Sequence, residues 1–225
     1  MTLQHVDILF KFIAFLFAIS VHESAHAWMA NLRGDPTARM LGRVTLNPIK
    51  HIDPVGTILL PLIAAFTHIP LLGWAKPTPV NPRNFQNPVL DDVLTSVVGP
   101  VSNFVVATVA LILLLVVKHA SPAGQQIVYG VPLAPSQANS VLVPAFLLLY
   151  DLMEINIVLG VFNLIPVPPL DGSHVIRHFL PANALRIYDS IGIFGLLALI
   201  YLAPGFLRGL LTPVIGIFDR MLWTI

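Results

Sequence analysis

This 225-residue chain has no cysteine, and charged residues make up only 10% of it. The missing thiols exclude disulfides and thiolate metal sites, so any zinc would have to be held by His, Asp or Glu. The net charge of +1 and the lack of a long basic run give no indication of nucleic-acid binding. Most of the chain is apolar instead: 56% of its residues are hydrophobic and its mean hydropathy is +0.83, values typical of a polytopic membrane protein.

The apolar residues form long runs, four of which predict membrane-spanning helices at residues 8–30, 93–117, 141–165 and 187–203. Two further runs leave alternatives. Residues 54–72 are interrupted by Pro61 and Pro70, which favours a re-entrant or bent segment, although the length also fits an ordinary span. Residues 205–225 form either an interfacial helix or a short span.

A short segment after the first run alternates in polarity. Residues 40–46 follow this pattern and predict a strand or hairpin arm. The sequence therefore predicts an all-α polytopic membrane protein with about five to six membrane segments and a short membrane-associated β or re-entrant region after the first span. Residues 1–225 are expected to form a single domain.

The motif His22-Glu23-Ser24-Ala25-His26 lies near the end of the first run. We interpret that run as an uncleaved span, because it lacks the basic segment that begins a signal peptide. Positions i and i+4 share one face of a helix, so both imidazoles can bind one metal ion while Glu23 serves as a base for water. A carboxylate at membrane depth costs roughly 2.5 kcal/mol or more, which favours a functional role.

Catalytic zinc commonly takes three protein ligands, and Asp171 is the predicted third. It follows a proline-broken segment and precedes Gly172, which lets the backbone turn close to the site. The alternative is that Asp171 only caps the helix that follows it. His174 is the second choice of ligand, and Asp53, Asp151 and Glu154 are weaker candidates.

The positions of the two motifs constrain the topology. His22, His26 and Asp171 each lie at the C-terminal end of a span, so those two spans should run in the same direction, and residues 54–72 should then enter and leave on one side. Basic residues agree with this arrangement, because one side then carries the excess of them and is predicted to be cytoplasmic. These residues are Arg33, Arg39, Arg43, Lys50, Lys76, Arg83, Arg177 and Arg186.

The chain resembles the site-2 protease, or M50, family of intramembrane zinc metalloproteases, specifically the small bacterial and archaeal members without a PDZ or other appended domain. The resemblance covers nearly the whole chain, and five segments carry it: His22 to His26, Gly42 to Pro54, Gly73 to Pro77, Gly99 to Asn103, and Asn163 to Gly172, which matches the pattern NxxPxPxLDG.

The resemblance implies that His22, His26 and Asp171 bind one zinc ion and that Glu23 is the catalytic acid and base. Asn103 and Asn163 match positions linked in the family to substrate or transition-state contacts. Helix packing or hydrogen bonding within the bundle is the alternative role for both amides.

The predicted function is zinc-dependent hydrolysis of peptide bonds in or near transmembrane segments of membrane proteins. The predicted location is the cell membrane, with the active site toward the cytoplasm. The alternative is a membrane zinc-binding or zinc-transport protein without protease activity, although transporters typically show repeated halves and do not need Glu23 beside His22. A catalytically inert membrane chaperone would be free to lose Glu23.

Overall fold

The computed structural model describes residues 3–67, 73–120, 122–130 and 142–225. This part of the chain contains nine α-helices: α1 (Leu3–Leu32), α2 (Thr37–Met40), α3 (Leu60–Thr67), α4 (Pro88–Ala120), α5 (Pro122–Gly130), α6 (Leu142–Asn163), α7 (Asp171–Arg177), α8 (Ala182–Leu202) and α9 (Pro204–Thr224). A π-helical segment, Pro54–Leu59, leads into α3, and short 3-10 turns lie at Pro48–Lys50 and Pro82–Asn84.

Within the described residues, four helices are long and apolar enough to cross a membrane: Ile8–Leu32 of α1, and the whole of α4, α6 and α8. The protein is therefore an all-α polytopic membrane protein, as predicted. The count of five to six segments was too high for this part of the chain. The described helical stretch from Pro54 to Thr67 is not among these four. Helix α9, which carries Arg208, Asp219 and Arg220, is also not among these four.

The predicted strand at residues 40–46 was wrong. These residues form turns and bends after α2, and no strand occurs in the residues that the structure describes. At Thr45, side chains rather than a partner strand form hydrogen bonds with the backbone. The carbonyl oxygen of Thr45 accepts hydrogen bonds from Ser24 Oγ and from His51 Nε2.

Helices α1, α4 and α6 pack together as the centre of the bundle. Small side chains allow their close approach, and the fully buried positions include Ala14, Ala18, Ala107 and Ala110. Larger apolar side chains complete the core between α4 and α6, among them Leu114, Phe146, Met153 and Ile157. The exposed large apolar residues lie mainly on the outer faces, as expected of helices that face lipid.

Contacts along these helices establish their directions. Asn103 of α4 lies beside Ala18 of α1, whereas Thr95 lies beside His26. The numbers rise on one helix as they fall on the other, so α1 and α4 are antiparallel. Asn103 also contacts Asn156 of α6, and the chain after α6 reaches His26, so α6 runs in the same direction as α1.

The segment between α1 and α4 starts and ends at one end of the bundle. Arg33, just after α1, forms an ion pair of 2.6 Å with Asp91 in the first turn of α4. Within this segment, the backbone N–H of Trp74 donates to the carbonyl oxygen of Gly56 at 3.2 Å. The backbone at residue 74 therefore lies beside the backbone at residue 56. Residues 68–72 of the predicted re-entrant segment lie outside the described part.

Candidate metal centre

Three potential metal ligands converge where α1, α4 and α7 meet. The Nε2 atoms of His22 and His26 are 3.0 Å apart, and Oδ2 of Asp171 lies 3.1 Å from the first and 3.4 Å from the second. Both histidines are buried, and Asp171 is half-buried. In the described ranges, no other group of three His, Asp or Glu residues brings its ligand atoms within 4.8 Å of one another.

The partners of the other ring nitrogens set the orientation of both imidazoles. His22 Nδ1 lies 2.6 Å from Asn103 Oδ1, and His26 Nδ1 lies 2.6 Å from the carbonyl oxygen of Thr95. Both partners are acceptors, so each neutral ring carries its proton on Nδ1 and turns the lone pair of Nε2 toward the centre. Two such lone pairs and a carboxylate oxygen at these distances repel one another unless a cation lies between them. The donor set therefore fits a zinc ion.

Asp171 reaches the centre because α7 begins close to the end of α6. Helix α7 starts at Asp171, and its N-cap residue is Leu170, which makes no side-chain capping bond. Asp171 is therefore not the N-cap that the alternative interpretation assumed. A Cβ atom on Gly172 would lie 2.3 Å from the carbonyl oxygen of Leu164, so this close approach requires glycine.

The charge and the free space at the centre also suit a cation. Among the described residues, the buried Oδ2 of Asp171 has no hydrogen-bond donor. A Cβ atom on Gly99 of α4 would lie 2.3 Å from His26 Nε2, so this glycine leaves the imidazoles the room they occupy.

The carboxylate of Glu23 is bound by a residue that the sequence did not single out. Thr78 donates two hydrogen bonds to Glu23 Oε2, from its backbone N–H at 2.8 Å and from its hydroxyl at 2.7 Å. Thr78 lies in the extended connector of residues 73–81. The motif at Gly73 to Pro77 pointed to this connector, but a contact across 55 residues cannot be deduced from local periodicity.

A chain of buried amides leads from His22 into the bundle. Asn103 Nδ2 donates to Asn156 Oδ1 at 2.8 Å, and Asn156 Nδ2 donates to the carbonyl oxygen of Leu152 at 2.8 Å. The carbonyl oxygen of Leu152 can only accept, so the amide of Asn156 must present its NH₂ to Leu152 and its oxygen to Asn103. Asn103 in turn donates its NH₂ to Asn156 and presents its oxygen to His22 Nδ1. Asn156 was missed in the sequence, although an amide within an apolar span is itself a signal of a buried hydrogen bond.

The two predicted amide contacts with substrate stay predictions. Asn103 is fully buried and is bound to His22 and Asn156, which favours a role in orienting the imidazole. Asn163 is half-buried at the end of α6, and its Nδ2 donates to the carbonyl oxygen of Leu159 at 3.0 Å.

The weaker ligand candidates have other partners or lie elsewhere. His174 Nδ1 lies 3.4 Å from Asp92, which also accepts a 2.8 Å hydrogen bond from His178. Asp53 caps the segment that begins at residue 54, through hydrogen bonds to its backbone N–H groups. Asp151 and Glu154 lie on α6 and do not belong to the group at the centre.

Comparisons with known proteins agree with this geometry. The model of the family described as Peptidase family M50 matches residues 10–200. A Bacillus subtilis protein named "Putative zinc metalloprotease YwhC" is 42% identical over 169 residues, which cover 75% of this chain and 68% of that protein. A Mycolicibacterium smegmatis protein named "Putative zinc metalloprotease Rip2" is 27% identical over 225 residues, covering 98% of this chain and 75% of that protein. No solved structure matches the chain significantly.

Proposed function

Since the chain belongs to peptidase family M50, we propose that it is a zinc-dependent intramembrane endopeptidase that cuts membrane proteins in or near their transmembrane segments. The observation that supports this most directly is the convergence of the Nε2 atoms of His22 and His26 with a carboxylate oxygen of Asp171. Both histidines and Glu23 lie on α1, a helix long and apolar enough to span a membrane. We further propose that residues 1–225 act as one domain.

His22, His26 and Asp171 are the proposed ligands of one zinc ion, and their close donor atoms support this set. When bound, zinc supplies Lewis-acid polarisation of water and of the scissile carbonyl. Glu23 accepts a proton from the attacking water and later delivers it to the leaving amine. Asn163, at the end of α6, is proposed to contact the substrate or the developing oxyanion.

The substrate must present an extended segment, because a helix keeps its carbonyl groups in internal hydrogen bonds. A shallow groove beside the motif is lined partly by apolar side chains and could hold such a segment, and its lining includes Val21, Ala25, Trp28, Val44 and Leu46. The irregular backbone of residues 164–170 offers a second surface for pairing. The substrate is therefore a membrane protein whose transmembrane segment unwinds locally.

We propose that residues 54–72 form a re-entrant segment. Two features support this: the hydrogen bond between Trp74 and Gly56, and the contact of Arg33 with Asp91 at one end of the bundle. The excess of Lys and Arg in the loops at that end favours the cytoplasm, which would place the metal toward the cytoplasmic side of the cell membrane.

Because the chain has no cysteine, one introduced cysteine reports on the topology without background. The exposed side chain of Lys76 is the position of choice. Lys76→Cys should react with a membrane-impermeant maleimide in inverted vesicles and not in intact cells. The opposite labelling pattern would refute the cytoplasmic placement of this connector.

Activity is tested by reconstitution with single-span substrates in liposomes. The chain contains only two glutamates, which gives a matched pair of variants, Glu23→Gln and Glu154→Gln. The first should retain zinc and lose cleavage, whereas the second should retain both. Equal cleavage by both variants would refute the role of Glu23 as base. Zinc transport without any cleavage by the wild type would refute the protease assignment.

A further inference from the structure

The connector between α3 and α4 crosses the motif helix as an extended strap, defined here as residues 74–81. One end of the strap is held where Thr57 Oγ donates to the carbonyl oxygen of Trp74 at 2.8 Å. The other end is held where the backbone N–H of Asn81 donates to Asp35 Oδ2 at 2.7 Å. Thr57 and Asp35 are both fully buried, so the anchors of the strap are part of the packed interior.

The middle of the strap is fixed as well. The backbone N–H of Lys76 donates to the carbonyl oxygen of the fully buried His51 at 2.8 Å, and the buried Arg43 donates from Nη1 to the carbonyl oxygen of Lys76 at 3.4 Å. These contacts hold the strap against the loop that follows α2. The strap therefore approaches Glu23 along a fixed path.

The sequence Pro77-Thr78-Pro79 determines what the strap can offer to Glu23. Proline has no N–H, so Thr78 is the sole backbone donor of these three residues. A residue that precedes proline favours extended backbone, which applies to both Lys76 and Thr78. The motif thus presents a single N–H, with the Thr78 hydroxyl beside it, on a stiff extended segment.

Both donors of Thr78 bind the same oxygen of Glu23. The N–H and the hydroxyl lie 2.8 Å and 2.7 Å from Oε2, while the hydroxyl is 3.0 Å from the backbone oxygen of Glu23. Within the described residues, Oε1 has no hydrogen bond. One carboxylate oxygen is therefore anchored, and the other remains available to accept a proton.

We propose that Thr78 is a positioning residue that fixes the rotamer of Glu23 and directs Oε1 toward the water to be activated. This rests on the proposed role of Glu23 as general base. A glutamate has several rotatable bonds, and without an anchor its carboxylate would occupy several positions, only some of them productive. The hydrogen bonds of Thr78 in the described structure go to Glu23, so its effect on catalysis passes through that residue.

The kinetic test compares Thr78→Val, which keeps the N–H but removes the hydroxyl, with Thr78→Ser, which keeps both donors. Loss of one hydrogen bond to a charged group should lower kcat about tenfold, with KM and zinc content unchanged, and serine should restore most of the loss. Thr57→Val is the matched control, because it removes a hydroxyl anchor of the same strap without touching Glu23. It should retain near wild-type kcat.

A double-mutant cycle separates the contact from a general loosening of the strap. The shorter side chain of Glu23→Asp cannot keep the same bonds to Thr78, so Thr78→Val should lower kcat by less than twofold in that background. An equal fold-change in both backgrounds would overturn the proposal. So would a loss that appears in KM or that Thr57→Val reproduces.

A spectroscopic test needs no substrate. In protein labelled with ¹³C-carboxyl glutamate, Glu154→Gln leaves Glu23 as the single labelled side chain, and isotope-edited infrared spectroscopy then reads its carboxylate stretch directly. Thr78→Val should shift or broaden this band, and Thr57→Val should not. If Thr78→Val fails to fold, Thr78→Ala replaces it. An unchanged band in the folded variant would overturn the proposal.

The outcomes distinguish this proposal from the proposed function. Absence of cleavage by the wild type, or full activity of Glu23→Gln, would reject the protease mechanism. Cleavage that requires Glu23 but is insensitive to Thr78→Val would leave the protease intact and reject the positioning role.

Discussion

Replacement of Asn103 by leucine should weaken zinc binding and lower the stability of the helix bundle without unfolding it. Leucine resembles asparagine in size but offers no acceptor to His22 Nδ1, which lies 2.6 Å from Asn103 Oδ1. Loss of the outer partner of a metal-binding histidine typically lowers metal affinity 10- to 100-fold, equivalent to about 1.4 to 2.7 kcal/mol. The substitution also leaves Asn156 Oδ1 without its donor, which should cost about 1 to 3 kcal/mol of stability.

Asn156→Leu is the control for that cost in stability. It breaks the same buried amide pair but leaves the hydrogen bond between Asn103 and His22 in place. Its melting temperature should fall about as much as that of Asn103→Leu, whereas its zinc affinity should fall less than tenfold.

The assay is competition for zinc with a chelating dye, using protein in lipid nanodiscs, with thermal melting measured on the same samples. Wild-type zinc affinity in Asn103→Leu would refute the orienting role of this amide. Equal losses of affinity in the two variants would show that loosening of the bundle, rather than the bond to His22, weakens the site.

Three further outcomes follow from close contacts and from charge. Gly99→Ala places a Cβ atom 2.3 Å from His26 Nε2, so the imidazole must shift by about 1 Å and activity should fall on the order of 100-fold with the fold retained, as measured by cleavage rate and melting temperature. Gly172→Ala brings a Cβ atom 2.3 Å from the carbonyl oxygen of Leu164, and equilibrium dialysis should show reduced zinc binding because α7 is displaced. Burial opposes ionisation of Asp35, but its hydrogen bonds outweigh this and lower its pKa, so the stabilisation it provides is complete above about pH 4 and is lost as the pH falls through the lowered pKa. The melting temperature of Asp35→Asn should therefore approach that of the wild type in acid, and a difference that grows on acidification would contradict this.

Local patterns predicted the spans and the motif because both depend on neighbouring residues. Apolar runs of about 20 residues identify helices that can cross a bilayer, and His22 and His26 share a face by helical spacing alone. Even the common direction of α1 and α6 could be deduced, since Asp171 and the two histidines lie at corresponding ends of their spans. The alternation at residues 40–46 failed as a predictor, because a strand needs a partner that local sequence does not reveal.

The sequence by itself determined the membrane setting, the pair of imidazoles, the carboxylate of Glu23 and, through the resemblance, the chemistry. Only the tertiary structure decided which groups orient them: Asn103 and Thr95 on the two Nδ1 atoms, and Thr78 on Glu23. The physical reason is distance along the chain. These contacts join residues 55 to 81 positions apart, and they form only after burial of apolar surface has brought α1, α4 and the strap together.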